Sequence, residues 1–369
     1  MIKKILLALL LCSALVFIGI VIFLQHPMFG RTPNETSLER IHSSPNYVNG
    51  QFQNLIDTPM NSEEGRSASL WEYFFTKKER LVPTDPIPTI KTNLMALDRT
   101  KDIVVWLGHS SYFIQLGGKR IMIDPVLSSY ASPVPFLNKS FGGTNIYTPE
   151  DIPEIDYLLI SHDHWDHLDY PTITALKPKI KNIITGLGVG AYFEQWGFEN
   201  KQIHEADWFS TIELEKDFVI HVLPARHFSG RLLTRNKTLW TGFAIETTGR
   251  CIFYSGDSGY GPHFKKIGDM FNGFDLVIME NGQYDKSWPY IHMMPEEVGK
   301  AAENLKGKAL LAGHLGKFAI ANHPWDEPLK RIIKASQNKS YTLLTPVIGD
   351  QIEIGNREQG FTNWWERVN

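Results

Sequence analysis

The chain has 369 residues, a formal net charge of −3 and a pI near 6.5. This length is compatible with one large core that carries extensions, and the lack of a basic excess argues against nucleic acid as the main partner. Only two cysteines occur, Cys12 and Cys251, which excludes a disulfide framework and leaves histidine and carboxylate side chains as the candidate metal ligands.

The first segment of the chain is strongly apolar. Lys3 and Lys4 precede an almost uninterrupted apolar run over residues 5–24, about the length that a helix needs to cross a bilayer. The run continues into Gln25 without a small-residue cleavage pattern, which favours a signal anchor over a cleaved signal peptide. A buried core helix is the alternative that the terminal position and the lysines disfavour. We therefore predict a transmembrane helix in residues 1–27, with the body of the protein outside the cytoplasm.

Residues 28–101 are predicted to be a linker and N-terminal arm. Polar residues, prolines and charges occur without a sustained period over residues 30–69, which is typical of a loosely packed segment. Residues 70–75 (Leu-Trp-Glu-Tyr-Phe-Phe) form an aromatic cluster, for which a lid packed on the core and a membrane contact are both open. The globular domain is predicted to span residues 102–369.

Short apolar runs bounded by turn residues predict the strands of this domain. The clearest signal is Gly117-Gly118, a two-residue hairpin turn between runs at 112–116 and 119–123. The other predicted strands are 103–107, 157–160, 218–223, 243–246, 251–255, 276–279 and 309–312, and the predicted helices are 171–176, 189–196 and 295–305. Strands that first occur alone and then alternate with helices predict an α/β fold of two sheets packed face to face, with helices outside.

The strongest chemical signal is the segment Ser161–His167 (Ser-His-Asp-His-Trp-Asp-His), directly after an apolar run. Imidazole nitrogens and carboxylate oxygens are ligands that zinc and similar ions bind. His162 and His164 are two residues apart in an extended stretch, so they point the same way and can share one ion. Asp166 and His167 follow where the chain turns and can reach a second ion. The segment therefore predicts a two-metal site at the end of a strand.

Three further candidate ligands, His227, Asp257 and His314, each follow another predicted strand. A single histidine after a strand is more often a structural residue. Their common position at strand ends favours convergence on one site, and glycines beside Asp257 and His314 permit tight turns there.

These motifs and their flanks make the chain similar to a known family. The segments concerned are 106–111 (Trp-Leu-Gly-His-Ser-Ser), 123–125 (Ile-Asp-Pro), 160–170, 253–260, His292 with 295–297 (Pro-Glu-Glu), and 314–322. Residues 102–346 resemble the metallo-β-lactamase superfamily and, within it, N-acylphosphatidylethanolamine-hydrolysing phospholipase D and its bacterial relatives. The His-x-His-x-Asp-His motif identifies only the superfamily, which also contains β-lactamases, glyoxalases, lactonases and nucleases, whereas the flanking segments are narrower.

The resemblance implies an αββα hydrolase domain of two mixed sheets that binds two zinc ions per chain. It implies a division of the ligands around one shared carboxylate: His162, His164 and His227 for one zinc, Asp166, His167 and His314 for the other, and Asp257 bridging. It also implies that His292 lies beside the headgroup of the substrate.

Two zinc ions would supply a bridging hydroxide near neutral pH and clamp the attacking and leaving oxygens at phosphorus. The expected reaction is phosphodiester hydrolysis, with Asp166 and Asp257 at the reacting centre and His292 as a hydrogen-bond or proton donor to the leaving alkoxide. A structural role for His292 stays open. Asp163 and His109 are candidates for orienting a ligand imidazole, and their alternatives are a solvated loop acid and packing at a strand end.

The substrate is the least determined part. Residues 279–283 (Met-Glu-Asn-Gly-Gln) replace a small apolar run of the family and add a carboxylate and an amide near the expected pocket. We expect a phospholipid like N-acylphosphatidylethanolamine, or another small phosphodiester. Trp288, Tyr290 and Phe318 are candidates for acyl-chain contacts, with core packing the favoured role. Hydrolysis of a lactone, an amide or a cyclic phosphate is the second hypothesis, and a non-catalytic membrane-tethered metal-binding protein is the third.

Overall fold

A computed structural model describes residues 1–62, 78–231 and 234–369 of the chain. The aromatic cluster at residues 70–75 lies outside the described residues. The helices are α1 (Ile2–Leu24), α2 (Glu35–Ser43), α3 (Tyr170–Leu176), α4 (Gly190–Gln195), α5 (His263–Met270), α6 (Pro295–Asn304) and α7 (Glu327–Ala335).

The strands of the described residues form one short hairpin and two large sheets. They are β1 (Tyr47–Val48), β2 (Gln51–Phe52), β3 (Ile103–Trp106), β4 (Tyr112–Leu116), β5 (Lys119–Ile123), β6 (Ile155–Ile160), β7 (Ile180–Gly186), β8 (Ile203–Ala206), β9 (Ser210–Glu215), β10 (Phe218–Pro224), β11 (Thr241–Thr247), β12 (Arg250–Tyr254), β13 (Leu276–Glu280), β14 (Ala309–Gly313), β15 (Thr342–Leu344) and β16 (Gln351–Glu353).

Two mixed seven-stranded sheets make up the domain. Sheet 1 has the order β16-β3-β4-β5-β6-β7-β8, and sheet 2 has the order β15-β14-β13-β12-β11-β10-β9. In sheet 1 the pairs from β16 to β5 are antiparallel and those from β5 to β8 are parallel. In sheet 2 the pairs from β15 to β12 are parallel and those from β12 to β9 are antiparallel. The predicted two-sheet α/β architecture is therefore confirmed.

Three apolar cores separate the four layers. The largest lies between the sheets and takes side chains from both of them. A second core packs α3 and α4 on the outer face of sheet 1, and a third packs α5, α6 and α7 on the outer face of sheet 2. This is the αββα order that the resemblance implied.

Strand β6 shows why the strands appear in the sequence as runs of apolar residues. Tyr157 and Leu159 point into the core between the sheets, whereas Leu158 and Ile160 point into the core under the helices. Since successive side chains of a strand alternate between faces and both faces are covered, residues 157–160 are all apolar. The ligand segment starts where this buried strand ends.

The predicted hairpin is confirmed in its register. Leu116 pairs with Lys119 across the two-residue turn, and Gly117 and Gly118 have φ values of 56° and 76°. A two-residue turn with positive φ at both positions matches the twist of the flanking strands, and glycine adopts it without strain.

The N-terminal arm is packed on the domain in its described part. Phe52 and Ile41 are buried with Trp208 and Trp240 in a separate apolar cluster, and Ile87 reaches the core between the sheets. The expectation of loose packing is wrong here. The arm is mostly polar, and its few apolar residues are too far apart in the sequence to form a periodic pattern, although they are buried in the structure. The boundary at residue 101 stays a prediction.

Helix α1 has no buried residue. Among the described residues it is the one helix that is long and apolar enough to cross a membrane, as judged from its length and composition.

Substitution Phe52→Ala tests whether the arm is part of the fold. Removing this fully buried ring is expected to lower the free energy of unfolding by about 3–5 kcal/mol, measured by urea unfolding of the detergent-solubilised protein. Val48→Ala removes a 47% exposed side chain from the same hairpin and should change that free energy by less than about 0.5 kcal/mol. Equal effects of the two substitutions would contradict a packed arm.

Candidate metal centre

Four loops at strand ends bring the predicted ligands together. The segment Ser161–His167 follows β6 of sheet 1, whereas His227, Asp257 and His314 follow β10, β12 and β14 of sheet 2. Strands β10, β12 and β14 run in the same direction, so their carboxyl ends lie at one edge of sheet 2. Face-to-face packing then places the loop of sheet 1 against this edge.

The first ligand cluster contains His162, His164, His227 and Asp257, each with a ligand atom within 4.8 Å of the others. His162 Nε2 lies 2.9 Å from His164 Nδ1, which lies 3.3 Å from His227 Nε2. Three imidazole nitrogens that face one another in a buried site are a donor set that a divalent metal ion can satisfy.

The second cluster contains Asp166, His167 and His314, and His109 joins them. His109 Nε2 lies 2.9 Å from Asp166 Oδ2, while His167 Nε2 and His314 Nε2 lie 3.5 and 3.9 Å from the same oxygen. His109 therefore orients the carboxylate of Asp166, whereas the sequence predicted that it would orient an imidazole or pack at a strand end.

Asp257 lies between the two clusters. Its Oδ2 atom is 3.2 Å from the Nε2 atoms of His167 and His314 and 3.8 Å from those of His162 and His227. One carboxylate oxygen thus faces two nitrogens from each cluster.

The residues present fit a bound metal. His167 Nε2 and Asp257 Oδ1 are buried without a hydrogen-bond partner among the described residues, and a buried polar atom left unpaired costs on the order of 1–3 kcal/mol. Burial opposes ionisation of Asp166, but the positive charge on His167 outweighs it and holds the pKa of Asp166 well below its usual value. Ionised carboxylates beside imidazoles can bind one or two metal ions, and this donor set is typical of zinc and related metals.

Each of four candidate ligand histidines is oriented through its other ring nitrogen, which fixes the ring and its tautomer. The contacts are His162 Nδ1 with Ser161 Oγ at 2.9 Å, His167 Nδ1 with Asp124 Oδ2 at 2.8 Å, His227 Nδ1 with the Ile291 carbonyl at 2.8 Å, and His314 Nδ1 with Ser110 Oγ at 2.7 Å.

Asp124 holds the segment Ser161–His167, which follows β6 of sheet 1, in position. Its fully buried carboxylate accepts hydrogen bonds from the Ser161 backbone N–H at 2.8 Å, the Ser161 hydroxyl at 2.5 Å, the Tyr254 hydroxyl at 2.6 Å and the His167 ring. Asp124 belongs to the Ile-Asp-Pro segment at 123–125, for which no role is predicted from the sequence. An aspartate that directly follows a buried strand was the available signal.

Three residues of the centre adopt the left-handed backbone region, which is unfavourable for residues other than glycine. Their φ values are 53° for His109, 41° for Asp124 and 57° for His314. The His314 backbone N–H donates to the His109 carbonyl at 3.0 Å, so this strained pair also links the loops of the two sheets.

Asp163 has a different role from either predicted one. Its buried carboxylate accepts hydrogen bonds from the Tyr192 hydroxyl at 3.0 Å, the Gly230 N–H at 2.6 Å and the Thr238 hydroxyl at 3.1 Å. It therefore ties the histidine segment to the loop after β10, and is neither a solvated acid nor a partner of an imidazole.

His292 lies beside both clusters. Its ring centroid is 4.9 Å from that of His227 and 5.4 Å from that of His314. Its Nδ1 atom is 3.0 Å from Glu280 Oε2, and Glu280 Oε1 accepts the Met293 N–H at 2.6 Å. Burial raises the pKa of Glu280 to about 7 against the opposing charge of His292. Burial alone would lower the pKa of His292, but Glu280 raises it above its usual value.

The centre opens into a cavity of about 420 Å³. Its polar wall contains Gln283 and Arg235 beside the candidate ligands, and its apolar wall contains Phe228, Trp288 and Ile320. The cavity therefore offers an apolar surface next to a charged one.

Of the three aromatic candidates for acyl-chain contact, Trp288 lines this cavity. Phe318 is buried, and Tyr290 packs against the Arg226 guanidinium at 5.0 Å. Phe318 therefore packs in the core and Tyr290 packs at the surface, and neither lines the cavity.

Comparison with known proteins identifies the family. Residues 119–315, more than half of the chain, match the beta-lactamase superfamily domain. An uncharacterized protein of Mycobacterium tuberculosis is 35% identical over 320 residues, which covers 84% of this chain and 84% of that protein. The chain belongs to the beta-lactamase superfamily. With its histidine and aspartate cluster, it is a metallo-hydrolase of this superfamily.

Relatives within the beta-lactamase superfamily have more specific names. The N-acyl-phosphatidylethanolamine-hydrolyzing phospholipase D 1 of Caenorhabditis elegans is 30% identical over 276 residues, covering 68% of this chain and 76% of that enzyme. The structure of Igni18, a metallo hydrolase of the archaeon Ignicoccus hospitalis, superimposes with a TM-score of 0.53 at 19% identity, covering 68% of this chain and 97% of that one. The latter similarity concerns the fold alone.

Substitution Asp124→Asn tests whether Asp124 holds the candidate metal ligands in place. The amide cannot accept all the hydrogen bonds that the carboxylate accepts, so zinc affinity is expected to fall about 10–100-fold, measured by competition with a chelator. Asp217→Asn is the matched control, because Asp217 is exposed and has a similar φ of 62°. Unchanged affinity in a folded Asp124→Asn protein would show that Asp124 does not support the ligands.

Proposed function

We propose that the protein is a membrane-anchored, zinc-dependent phosphodiesterase of phospholipase D type that acts on lipids like N-acylphosphatidylethanolamine. The observation that carries the proposal is the position of Asp257 between two ligand clusters at one end of a partly apolar cavity. The C. elegans relative, whose name specifies this lipid, supports the substrate class.

We propose that His162, His164 and His227 hold one ion and that Asp166, His167 and His314 hold the other, with Asp257 shared between them. When bound, two zinc ions would activate a water molecule for attack and stabilise the charge on the attacking and leaving oxygens of a phosphodiester. The chain's own contribution is to hold these donors in fixed orientations through Ser161, Asp124, Ser110 and the Ile291 carbonyl.

His292 is proposed to donate a proton to the leaving alkoxide. Its Nδ1–H donates to Glu280, which leaves Nε2 as the second site of protonation. Glu280 raises the pKa of His292, which favours the protonated form that a general acid requires.

The cavity supports a lipid as the substrate. Phe228, Trp288, Ile291 and Ile320 supply an apolar wall suited to acyl chains, and the Arg235 guanidinium lies 5.5 Å from the Phe228 ring. A guanidinium beside an apolar wall is a suitable contact for the phosphate of a lipid headgroup.

Helix α1 is proposed to anchor this domain in a membrane, with Lys3 and Lys4 on the cytoplasmic side and the catalytic domain outside. An anchored enzyme is held near a substrate that resides in the bilayer.

The proposal predicts that the full-length chain in detergent binds about two zinc ions. It also predicts that N-acylphosphatidylethanolamine is hydrolysed to phosphatidic acid and N-acylethanolamine, which mass spectrometry would detect. Asp166→Asn and His314→Ala are each expected to lower turnover by at least about 100-fold, because loss of a ligand exceeds the effect of losing its support. His42→Ala changes an exposed histidine of α2 and should leave turnover unchanged. Full activity of metal-free protein, or faster cleavage of lactones and carboxyl esters in a parallel panel, would contradict the proposal.

The role of His292 predicts a dependence on the leaving group. His292→Ala should lower kcat for the lipid by about 10²-fold or more, and Glu280→Gln should lower it less. Both variants should retain most of their activity toward bis(p-nitrophenyl) phosphate, because p-nitrophenolate leaves without a proton. Equal losses on both substrates, at unchanged zinc content, would assign His292 a role other than proton donation.

A further inference from the structure

The loop between β5 and β6 exposes an apolar tip at Pro135, Phe136 and Leu137. Phe136 is 77% exposed and Leu137 is 52% exposed. Beyond residue 24, no described large apolar side chain is more exposed than Phe136. Since such residues are normally covered, a cluster of them at one tip indicates a contact surface.

The tip is held in this exposed position by its own backbone. Tyr130 pairs with Lys139 in an antiparallel bridge, the Ala131 N–H donates to the Asn138 carbonyl at 3.0 Å, and the Leu137 N–H donates to the Val134 carbonyl at 3.3 Å. The loop is thus a closed hairpin that presents its apolar end.

Charge in and around the loop suits a lipid surface. Between Asp124 and Glu150 the only charged residue is Lys139, directly behind the tip. An apolar tip with a basic residue behind it fits a membrane interface, where the apolar side chains enter the acyl region and the lysine stays among the phosphates.

The base of this loop and the end of α1 are held by neighbouring residues. The Ser128 hydroxyl donates to Asp169 Oδ2 at 2.6 Å, and Asp169 is the N-cap of α3. The next residue, Tyr170, has its ring 5.3 Å from the ring of His26, two residues after α1 ends. The loop therefore starts close to the point where the anchor reaches the domain.

The end of the anchor is itself fixed on the histidine segment. The Phe29 ring lies 5.3 Å from that of Trp165, between two candidate ligands. The Arg231 guanidinium stacks on Trp165 at 4.0 Å and donates to the Met28 carbonyl. The anchor is thus attached rigidly beside the metal centre.

The same loop reaches the cavity wall indirectly, through Phe318. Ala131 packs on Phe318, whose carbonyl accepts a hydrogen bond from Gln283 at 3.3 Å. Gln283 and Ile320 both line the cavity. The base of the loop is therefore linked by packed contacts to the end of the anchor and to the cavity wall.

We propose that Pro135–Leu137 insert into the bilayer that α1 crosses and hold the cavity at that surface, so that lipid enters from the adjacent leaflet. This inference rests on the membrane anchoring in the proposed function. The partner is the lipid bilayer, because the apolar helix that ends beside the loop would place this face against it.

Spectroscopy tests the insertion without reference to catalysis. In the full-length protein with Cys12→Ser and Cys251→Ser, Phe136→Cys is labelled with the fluorophore NBD and reconstituted in phosphatidylcholine vesicles. Spin-labelled phosphatidylcholine is expected to quench this label several-fold, and to leave unquenched a label at Leu214→Cys on the edge strand β9. An unquenched label at position 136 would overturn the inference. A blue shift of the NBD emission without quenching would also overturn the inference, since it would show that the label contacts protein and not lipid.

Kinetics tests the consequence for the substrate. Phe136→Ser with Leu137→Ser should lower turnover of vesicle lipid about tenfold and leave turnover of bis(p-nitrophenyl) phosphate unchanged. Leu214→Ser with Met270→Ser removes two exposed apolar side chains from the sheet 2 side of the domain as the matched control and should change neither. Equal losses on both substrates would overturn the inference. If the unsubstituted protein hydrolysed neither substrate, the proposed function would fail. The quenching result alone would then decide whether the loop inserts into the bilayer.

Discussion

The centre depends on one carboxylate held between four imidazoles in a buried place. Asp257 carries a negative charge out of water, and both its Oδ1 atom and the neighbouring His167 Nε2 atom lack a hydrogen-bond partner among the described residues. Such an arrangement is unfavourable by itself. The sheets must therefore hold it in place, and they do so by burying strands on both faces and by fixing each ring through its second nitrogen. A metal ion would relieve the cost that the fold otherwise bears.

The two sheets are coupled directly at this point. His109 belongs to a loop of sheet 1 and His314 to a loop of sheet 2, and their backbones are hydrogen-bonded in the left-handed region. Asp124 of sheet 1 similarly accepts the Tyr254 hydroxyl from sheet 2. A small change in how the sheets pack would alter the spacing of the clusters, so the large core between the sheets also sets the geometry of the centre.

Local patterns were predictable from the sequence, and contacts between distant residues were harder to predict. The hairpin at Gly117-Gly118 depends on neighbouring residues alone and was predicted with its register. Strand β16 was missed, because three residues near the end of the chain become a strand only by pairing with β3. Strand β9 was missed because its side chains are mostly exposed. Among site residues, the seven candidate ligands stood out by type and spacing, whereas Asp124 and Asp163 act through partners far along the chain.

The pairing of β16 with β3 has a consequence for biogenesis. The first strand of sheet 1 gains its outer neighbour only when residues 351–353 are available, and the last candidate ligand, His314, is also close to the C-terminus. Sheet 1 cannot be complete before residues 351–353 have been synthesised, nor the second cluster before His314. If the domain is exported as proposed, it would acquire its metal after translocation, and the metals available in the receiving compartment would determine which ion it carries.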